Sequence, residues 1–491
     1  MAWFYLLSGL FLGWNLGAND AGNIFGTATS TKVLKYTTAV VISSIFVLLG
    51  AMISGYGAAH TIGELGDVNA IAGSFTVSLS AALTVFLLMK KGLVVSVSQS
   101  IIGAIIGWNL FTSSPTDIKS LAEIVFSWIL NPVLAGIFSF AAYYVLIRIL
   151  KKSKLHLLET DQHLKRLTIL VIAFGAYSLG ANNISKVVGV FMSSSPFTDI
   201  RITETFVITG MYQLFFTGAL SIVIGIITYS NKTTETVGKR IFKLTPLSSI
   251  SVIFGASLVL FLFSSTMIDK ALNSVGLPSF PLVPVSITQA IVGGVMGIGF
   301  AKSGRYLNYK ILGKIGLGWI ITPLASAVIC LIFLFIAQNV FNREVYKTFS
   351  FETNKEVIKQ IMSAEIPVDY LLKNRDTTFN SQQEFRYYLS RLGYTKEDHI
   401  YNIFKIAKLE YYRIDSNYAK EKMSPNRYTQ DQINSVKSLH NQSFNHKWML
   451  INKLEMLSED WQSLPAVYSN EYYNRELRIK LNTVCDYFYI K

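Results

Sequence analysis

The sequence predicts an all-α integral membrane protein, an inverted-topology repeat of two halves with about five segments each. Broken or re-entrant helices are expected in both halves, followed by a small, mainly helical soluble C-terminal domain. Three observations carry this. Hydrophobic residues make up 51% of the 491 and charged residues only 15%, well under the roughly 25% charged of soluble chains. Apolar runs of spanning length, on the order of 20 residues, recur throughout the chain up to residue 341. An unusual polar stretch, Gly17-Ala18-Asn19-Asp20-Ala21-Gly22-Asn23, is rewritten later as Gly180-Ala181-Asn182-Asn183-Ile184-Ser185-Lys186.

Taken in order, the apolar runs fall at about 2–30, 37–59, 70–89, 93–111 and 120–147, then 167–192, 204–229, 248–268, 281–301 and 315–341. The 2–30 and 93–111 runs and their later partners carry internal Gly, Ser, Asn and Gln. They read as helices interrupted at those residues, because exposed backbone polar groups are tolerated at membrane depth only inside protein or beside a cavity. The connecting loops alternate in charge. Lys32/Lys35, Lys90/Lys91, Arg148–Arg166, Lys232–Lys243 and Lys302–Lys314 are basic, while 60–69, 112–119, 193–203 and 269–280 are neutral, acidic or mixed. Placing the basic loops in the cytoplasm gives a consistent zigzag with the N-terminus outside. An odd number of crossings before the basic connector then inverts the second half.

This divides the chain into membrane repeat 1 (1–147), a basic cytoplasmic connector (148–166), membrane repeat 2 (167–341) and an accessory domain (342–491). The repeat is visible in residues as well as hydropathy. Val95-Ser96-Val97-Ser98-Gln99-Ser100-Ile101-Ile102-Gly103 is echoed by Val285-Ser286-Ile287-Thr288-Gln289-Ala290-Ile291-Val292-Gly293. Trp128-Ile129-Leu130-Asn131-Pro132 is echoed by Trp319-Ile320-Ile321-Thr322-Pro323, and His60–Glu64 loosely by Thr236–Arg240. Four paired stretches in one order make chance a poor explanation. Trp128 and Trp319 read as scaffold or interface anchors rather than ligands.

Charge separates the parts. Residues 1–341 hold 22 of the 44 Lys and Arg but only 11 of the 30 Asp and Glu. The net charge of +14 is therefore concentrated in membrane loops, where it speaks of topology rather than nucleic acid. Residues 342–491 are rich in Tyr, Asn, Lys and Glu, with amphipathic stretches at 380–392, 397–413 and 445–458 at helical spacing. That tail shows no metal-ligand spacing, no nucleophile–base pair and no phosphate-cradling glycine loop, so an enzyme is not expected. Cys330 and Cys485 lie in different parts and suggest no disulfide framework. The apolar N-terminus lacks a basic n-region and a cleavage site, and reads as the first membrane segment.

A carboxylate among amides at membrane depth is a functional-site candidate by default. Interrupting a helix there presents N–H groups that suit an oxyanion and C=O groups that, with a carboxylate, suit a small cation. Asp20 supplies the negative charge that Na⁺ or H⁺ would need, and Asn23 an amide oxygen. The hydroxyls and amides of Ser96, Ser98, Gln99, Ser286, Thr288 and Gln289 are neutral donors able to bind an oxyanion and release it. Each Ser or Thr alone could equally be interhelical glue.

The duplicated Gly-Ala-Asn-Asp-x-x-Asn and Pro-x-Ser-x-Thr-Gln-type motifs resemble the PiT family of inorganic phosphate transporters over essentially all of residues 1–341. Compact loops without a eukaryotic targeting signal point to a prokaryotic inner membrane, and the resemblance implies a multi-pass symporter. It would take up inorganic phosphate with Na⁺ or H⁺ by alternating access at a site near the midplane, without any other cofactor. Asn19, Asn182 and the Ser/Thr/Gln clusters would bind substrate. Asp20, Asn23, Asn183 and Lys186 would serve the coupling ion, with Asp20 and Asn23 as the Na⁺ ligands. Partners are then phosphate, the cation and the bilayer, with no nucleic acid; a homodimer and a partner for the C-terminal domain stay open. A sulfate or other tetrahedral-oxyanion permease of the same architecture, and a transporter-like anion sensor, are the alternatives. Departures from the family pattern are Val94 in place of Pro, Asn183 in place of Asp, and Lys186 in place of Asn. Lys186 is expected to replace a bound cation, pairing with Asp20 or facing the anion; the alternative is that it snorkels to an interface.

Overall fold

The structure, a computed structural model, describes residues 2–30, 33–66, 68–91, 95–153, 156–198, 200–201, 207–240, 244–302, 309–368, 371–372, 376–425, 427–465 and 467–490. Val94, Lys32, Lys243 and Arg305 lie outside this set, as do the side chains of Thr236–Arg240. Six of the described helices are long and apolar enough to cross a membrane, or seven if one bent pair counts as a single span. The chain is a multi-pass membrane protein.

The first half comprises α1 (Ala2–Ser30), α2 (Tyr36–Ser54), α3 (Tyr56–Gly66), α4 (Ile71–Lys90), α5 (Val97–Thr112) and α6 (Ile118–Ser153). The second comprises α7 (Leu157–Val188), a short hairpin of β1 (Ile200–Arg201) and β2 (Val207–Ile208), α8 (Gly210–Arg240), α9 (Pro246–Leu262), α10 (Thr266–Ser274), α11 (Ile287–Ala301) and α12 (Tyr309–Asn339). Each predicted segment has its helix. The basic connector is itself largely helical, because α6 continues to Ser153 and α7 begins at Leu157. α9 and α10 meet at a 71° bend. α5 and α11 are short; Val95 and Ser96 before α5 are not helical, and Ser286 before α11 is extended.

One expectation needs correcting. Neither copy of the Gly-Ala-Asn motif interrupts its helix: α1 and α7 run unbroken through both. Their glycines serve close packing instead. A Cβ on Gly17 would sit 1.9 Å from the Ile222 carbonyl oxygen of α8, and one on Gly180 would sit 2.0 Å from the Val47 carbonyl of α2. Asn19 keeps its amide within α1, donating to the Asn15 carbonyl at 2.8 Å. A polar run can thus stay helical when its amides bond one turn back and its glycines admit a neighbouring backbone. The breaks fall instead before α5, before α11 and between α9 and α10.

The halves interleave. α1 of the first half packs on α8 of the second, and α7 of the second packs on α2 of the first. The short helices follow the same rule: Gly293 of α11 admits the Pro132 carbonyl of α6, while Gly103 of α5 admits the Pro323 carbonyl of α12. Those are matching positions of the two repeats. The proline carbonyls face these glycines within α6 and α12, which both continue through the proline. Trp128 and Trp319 turn their indole N–H groups into the protein, so they are packing residues rather than headgroup anchors.

The chain forms two compact units. The first holds the membrane helices and extends to Lys347, whose backbone N–H and C=O pair with the Asn69 amide at 2.8 and 3.0 Å. The second gathers 348–491 together with 112–115 and 268–279, two segments drawn from non-basic loops of the membrane half.

Within the second unit two small cores follow each other. The first contains β3 (Phe351–Glu352), α13 (Lys355–Ser363), β4 (Thr378–Phe379), α14 (Gln382–Arg391) and α15 (Glu397–Ala407), around Phe351, Phe385 and Phe404. The next contains β5 (Tyr412–Arg413), α16 (Ser416–Lys422), α17 (Gln430–Ser438), β6 (Ser443–Phe444), α18 (Lys447–Leu457) and α19 (Tyr468–Phe488), around Trp461. Each opens on an antiparallel pair of two-residue strands. Thr378-Phe379-Asn380-Ser381 leads into α14 as Ser443-Phe444-Asn445-His446 leads into α18, so the unit is itself a tandem of one strand–helix motif. His446 joins the two cores, its ring nitrogens lying 2.7 Å from the Lys408 carbonyl and 2.8 Å from Glu352.

The same unit holds a partly buried ion pair. Asp269 of α10, 2% exposed, takes the Arg475 guanidinium of α19 and a bond from the Asn273 amide. Removing one partner of such a pair leaves a buried charge uncompensated. Arg475→Ala is expected to lower stability by about 3 kcal/mol, read by thermal unfolding of the purified full chain. Adding Asp269→Asn should recover part of that loss in a double-mutant cycle. Gly293→Ala and Gly103→Ala should each cost about 1–3 kcal/mol by overpacking. Gly316→Ala, with nothing near its Cβ position, should be neutral or slightly stabilising in the same assay.

Candidate functional site

The first motif pair meets itself. Asp20 of α1 and Asn183 of α7 occupy the same register position in the two repeats, and the Asn183 amide donates to the Asp20 carboxylate at 2.9 Å. Equivalent positions touch only where a pseudo-twofold axis passes between them. Two carboxylates so placed would repel unless a proton or a cation lay between them, whereas an amide donor and a carboxylate form a plain charge-assisted bond. The other end of the Asn183 amide accepts from the Lys186 ammonium at 2.7 Å. Its orientation is fixed by both neighbours, since a flipped amide would set oxygen against carboxylate and N–H against ammonium. Asp20 is 5% exposed, Asn183 fully buried and Lys186 1% exposed. Lys186 therefore does not reach an interface, and its link to Asp20 runs through Asn183.

The relay continues into the second motif pair. Lys186 also donates to the Val285 carbonyl at 2.9 Å, and the Ser98 hydroxyl donates to that same oxygen at 3.0 Å. Val285 immediately precedes Ser286, the N-cap of α11, which accepts from the Gln289 N–H at 3.4 Å. Ser96 plays the matching role for Gln99 at the start of α5, also at 3.4 Å. Ser98 lies in the first turn of α5, so its bond to Val285 brings the N-terminal ends of α5 and α11 together. The positive dipole ends of two helices suit an anion. The N–H groups expected from α1 and α7 come from these two helices instead.

Asn131 was not foreseen as a site residue. It lies in the Trp-Ile-Leu-Asn-Pro echo, and its amide donates to the Ser286 carbonyl at 2.8 Å. Its counterpart Thr322 bonds, among the described residues, only the Gly318 carbonyl in its own helix, at 2.6 Å. The one clue was that the polar member of this echo differs between the copies. Asn182 donates to the Ser264 hydroxyl at the α9–α10 bend, at 3.2 Å.

Several buried polar atoms have no hydrogen-bond partner among the described residues: Oε1 of Gln99, Oε1 and Nε2 of Gln289, and Oδ1 of Asn131 and Asn182. Such atoms are costly to bury unless something pairs with them. Asn19 stays within its own helix, bonding Asn15. Asn23 is buried one turn beyond Asp20, and Thr288 is half-buried in the first turn of α11. Asp20, Ser98, Asn183, Lys186 and the Val285–Ser286 backbone are thus joined in one bonded chain. Asn19, Asn23 and Thr288 stand outside it. Among the described residues no group of His, Cys, Asp and Glu could hold a tightly liganded metal.

Interleaved repeats with short helices meeting end-on at a polar centre define, by fold, a transporter of the inverted-repeat class. The comparisons with known proteins narrow this. A family model described as the phosphate transporter family matches residues 16–330, and the chain belongs to that family. Two relatives carry the name "putative phosphate permease". One, from Methanocaldococcus jannaschii, is 27% identical over 66% of this chain and 94% of its own length. The other, from Haemophilus influenzae, is 25% identical over 70% and 98%. A "probable low-affinity inorganic phosphate transporter" of Bacillus subtilis is 26% identical over 66% and 93%. A solved structure titled "The sodium-dependent phosphate transporter" shares the fold, with a TM-score of 0.55 at 21% identity. It covers 69% of this chain and 98% of its own.

Asn131→Ala would leave the Ser286 carbonyl only the Ala290 N–H of its own helix. It is expected to cost about 0.5–1.5 kcal/mol of stability and to weaken phosphate binding. Thr322→Ala should leave phosphate binding as it is. Thermal-shift titration of the purified protein with phosphate would show both.

Proposed function

We propose that the protein is a secondary active transporter that carries inorganic phosphate across the membrane with Na⁺ or H⁺ by alternating access. The observation that carries this reading is the meeting of the α5 and α11 N-terminal ends at the Val285 carbonyl, which Lys186 and Asn183 link to Asp20. Helix N-termini, Ser286, Thr288 and the Gln99 and Gln289 amides supply neutral donors for the anion. Asp20 and Asn23, one turn apart on α1, supply oxygens for a small cation. A cation held there would sit close to the anion and favour its binding electrostatically, which is the physical meaning of coupling. The family and the structural relative are transporters, which supports transport rather than catalysis.

The buried acceptors favour phosphate over sulfate. Monohydrogen phosphate carries a P–OH proton that needs an acceptor, and sulfate carries none. Asp20 is already engaged by Asn183, whereas the unpaired amide oxygens of Gln99 and Gln289 are placed to take that proton. Each of these glutamines offers a donor and an acceptor on one end group, as a protonated oxyanion requires.

Phosphate uptake into proteoliposomes, under an imposed Na⁺ or H⁺ gradient and with excess sulfate, tests the reading. Accumulation driven by one gradient and resistant to sulfate is the expected result. Suppression by sulfate would point to a sulfate permease of the same architecture. Anion binding without net flux would point to a sensor. Asp20→Asn is expected to reduce gradient-driven uptake roughly tenfold or more, equivalent to at least about 1.4 kcal/mol.

A further inference from the structure

The two copies of the first motif differ most in charge. Copy one reads Asn19-Asp20-x-x-Asn23 and copy two reads Asn182-Asn183-x-x-Lys186. Lys186 stands at the register of Asn23, and Asn183 at that of Asp20. The Lys186 ammonium lies between the Asn183 side-chain oxygen at 2.7 Å and the Val285 carbonyl at 2.9 Å. An amide oxygen and a main-chain carbonyl at a helix break are the ligands a small monovalent cation takes in a membrane carrier. The ammonium occupies the position that such a cation would fill, and its four-carbon stem anchors it to α7.

We propose that Lys186 is a tethered cation. It permanently fills the second of two pseudo-symmetric cation positions, so that the carrier works with one exchangeable cation fewer than a site with copy-one composition on both sides. This rests on the transport reading for its consequence, though not for its geometry. Three features support it. The ammonium is 1% exposed and both of its bonded partners are oxygens. Its charge offsets that of Asp20 through the Asn183 amide, so one mobile ion fewer is needed at the centre. Asn183 fits only this arrangement, because a carboxylate in its place would face Asp20 across the axis and would itself call for a further cation.

A bound ion would leave with each cycle, whereas the ammonium cannot. Lys186 also fastens α7 to Val285, the residue before the α11 cap, beside the Ser98 bond to the same oxygen. The tether therefore sets where the N-terminal end of α11 presents its donors, and Lys186 is a positioning residue for the anion as well as a counter-charge.

The test is equilibrium binding of radioactive sodium to the purified full chain without anion. The wild type is compared with Asn183→Asp/Lys186→Asn, which restores the copy-one pair, and with Lys186→Gln and Lys186→Arg. The double variant is expected to bind one more sodium ion per protein than the wild type, even if the wild type binds none. Lys186→Arg, which keeps the charge, should bind the wild-type number. Lys186→Gln, which leaves Asp20 without its counter-charge, should bind sodium at least about tenfold more tightly. Equal sodium counts in wild type and double variant would overturn the proposal. If the double variant does not fold, unchanged sodium affinity in Lys186→Gln would overturn it alone. Proteoliposomes of the wild type that accumulate no phosphate would sink the transport reading while leaving the sodium count to judge Lys186.

Discussion

The contact between Asp20 and Asn183 constrains the membrane unit more than any other. It joins the same register position of two repeats, so any change on one side is met by its own counterpart on the other. A buried carboxylate in a low-dielectric interior requires compensation. This chain supplies it at two removes, through an amide to an ammonium. The rest of the centre is arranged along that line of charge: Lys186 reaches the Val285 carbonyl, Ser98 reaches it from the other repeat, and Asn131 takes the carbonyl of the next residue. All of these bonds end on Val285 and Ser286, the two residues just before α11, so the electrostatic and mechanical parts of the site are one structure.

Such a line needs helices at unusually close approach. The interleaved packing provides it, with α1 against α8 and α7 against α2, and with α11 against α6 and α5 against α12. Each repeat therefore has no complete core of its own. Glycine at the crossing points lets neighbouring backbones meet at distances no side chain would permit. The burial of Asp20 and Lys186 depends on that packing, because a looser crossing would admit water and weaken the relay.

Much of the fold was legible in the sequence, and the reasons differ by element. Apolar runs and loop charges report directly on the bilayer, so the ten segments and their pairing could be read. The helices at 382–391, 397–407 and 447–457 followed from apolar spacing. The break in α1 did not occur because Gly17 can either interrupt a helix or let another helix approach, and only the position of Ile222 decides between them. Asn131 was quoted only as part of an echo; its bond to Ser286 spans the two repeats and depends on packing that no local pattern encodes. The tandem motif in the C-terminal unit was missed because Phe379-Asn380 and Phe444-Asn445 are short matches, conspicuous only once each is seen to lead from a strand pair into a helix.

The charge arrangement also bears on how an unloaded carrier of this kind could change conformation. A lone buried carboxylate would resist any rearrangement that passes through a dry intermediate, since its compensation would have to come from an ion that has just left. With Lys186 and Asp20 balanced through Asn183, the centre is close to neutral when nothing is bound, and the cost of closing around an empty site falls. The same balance limits what the anion can gain from the protein, because the ammonium already serves the carboxylate and the Val285 carbonyl. On the proposed function, affinity for a multiply charged oxyanion comes from neutral donors and from the cation that enters with it. Weak binding alone with strong binding in company is the condition under which a carrier couples two solutes rather than leaking either.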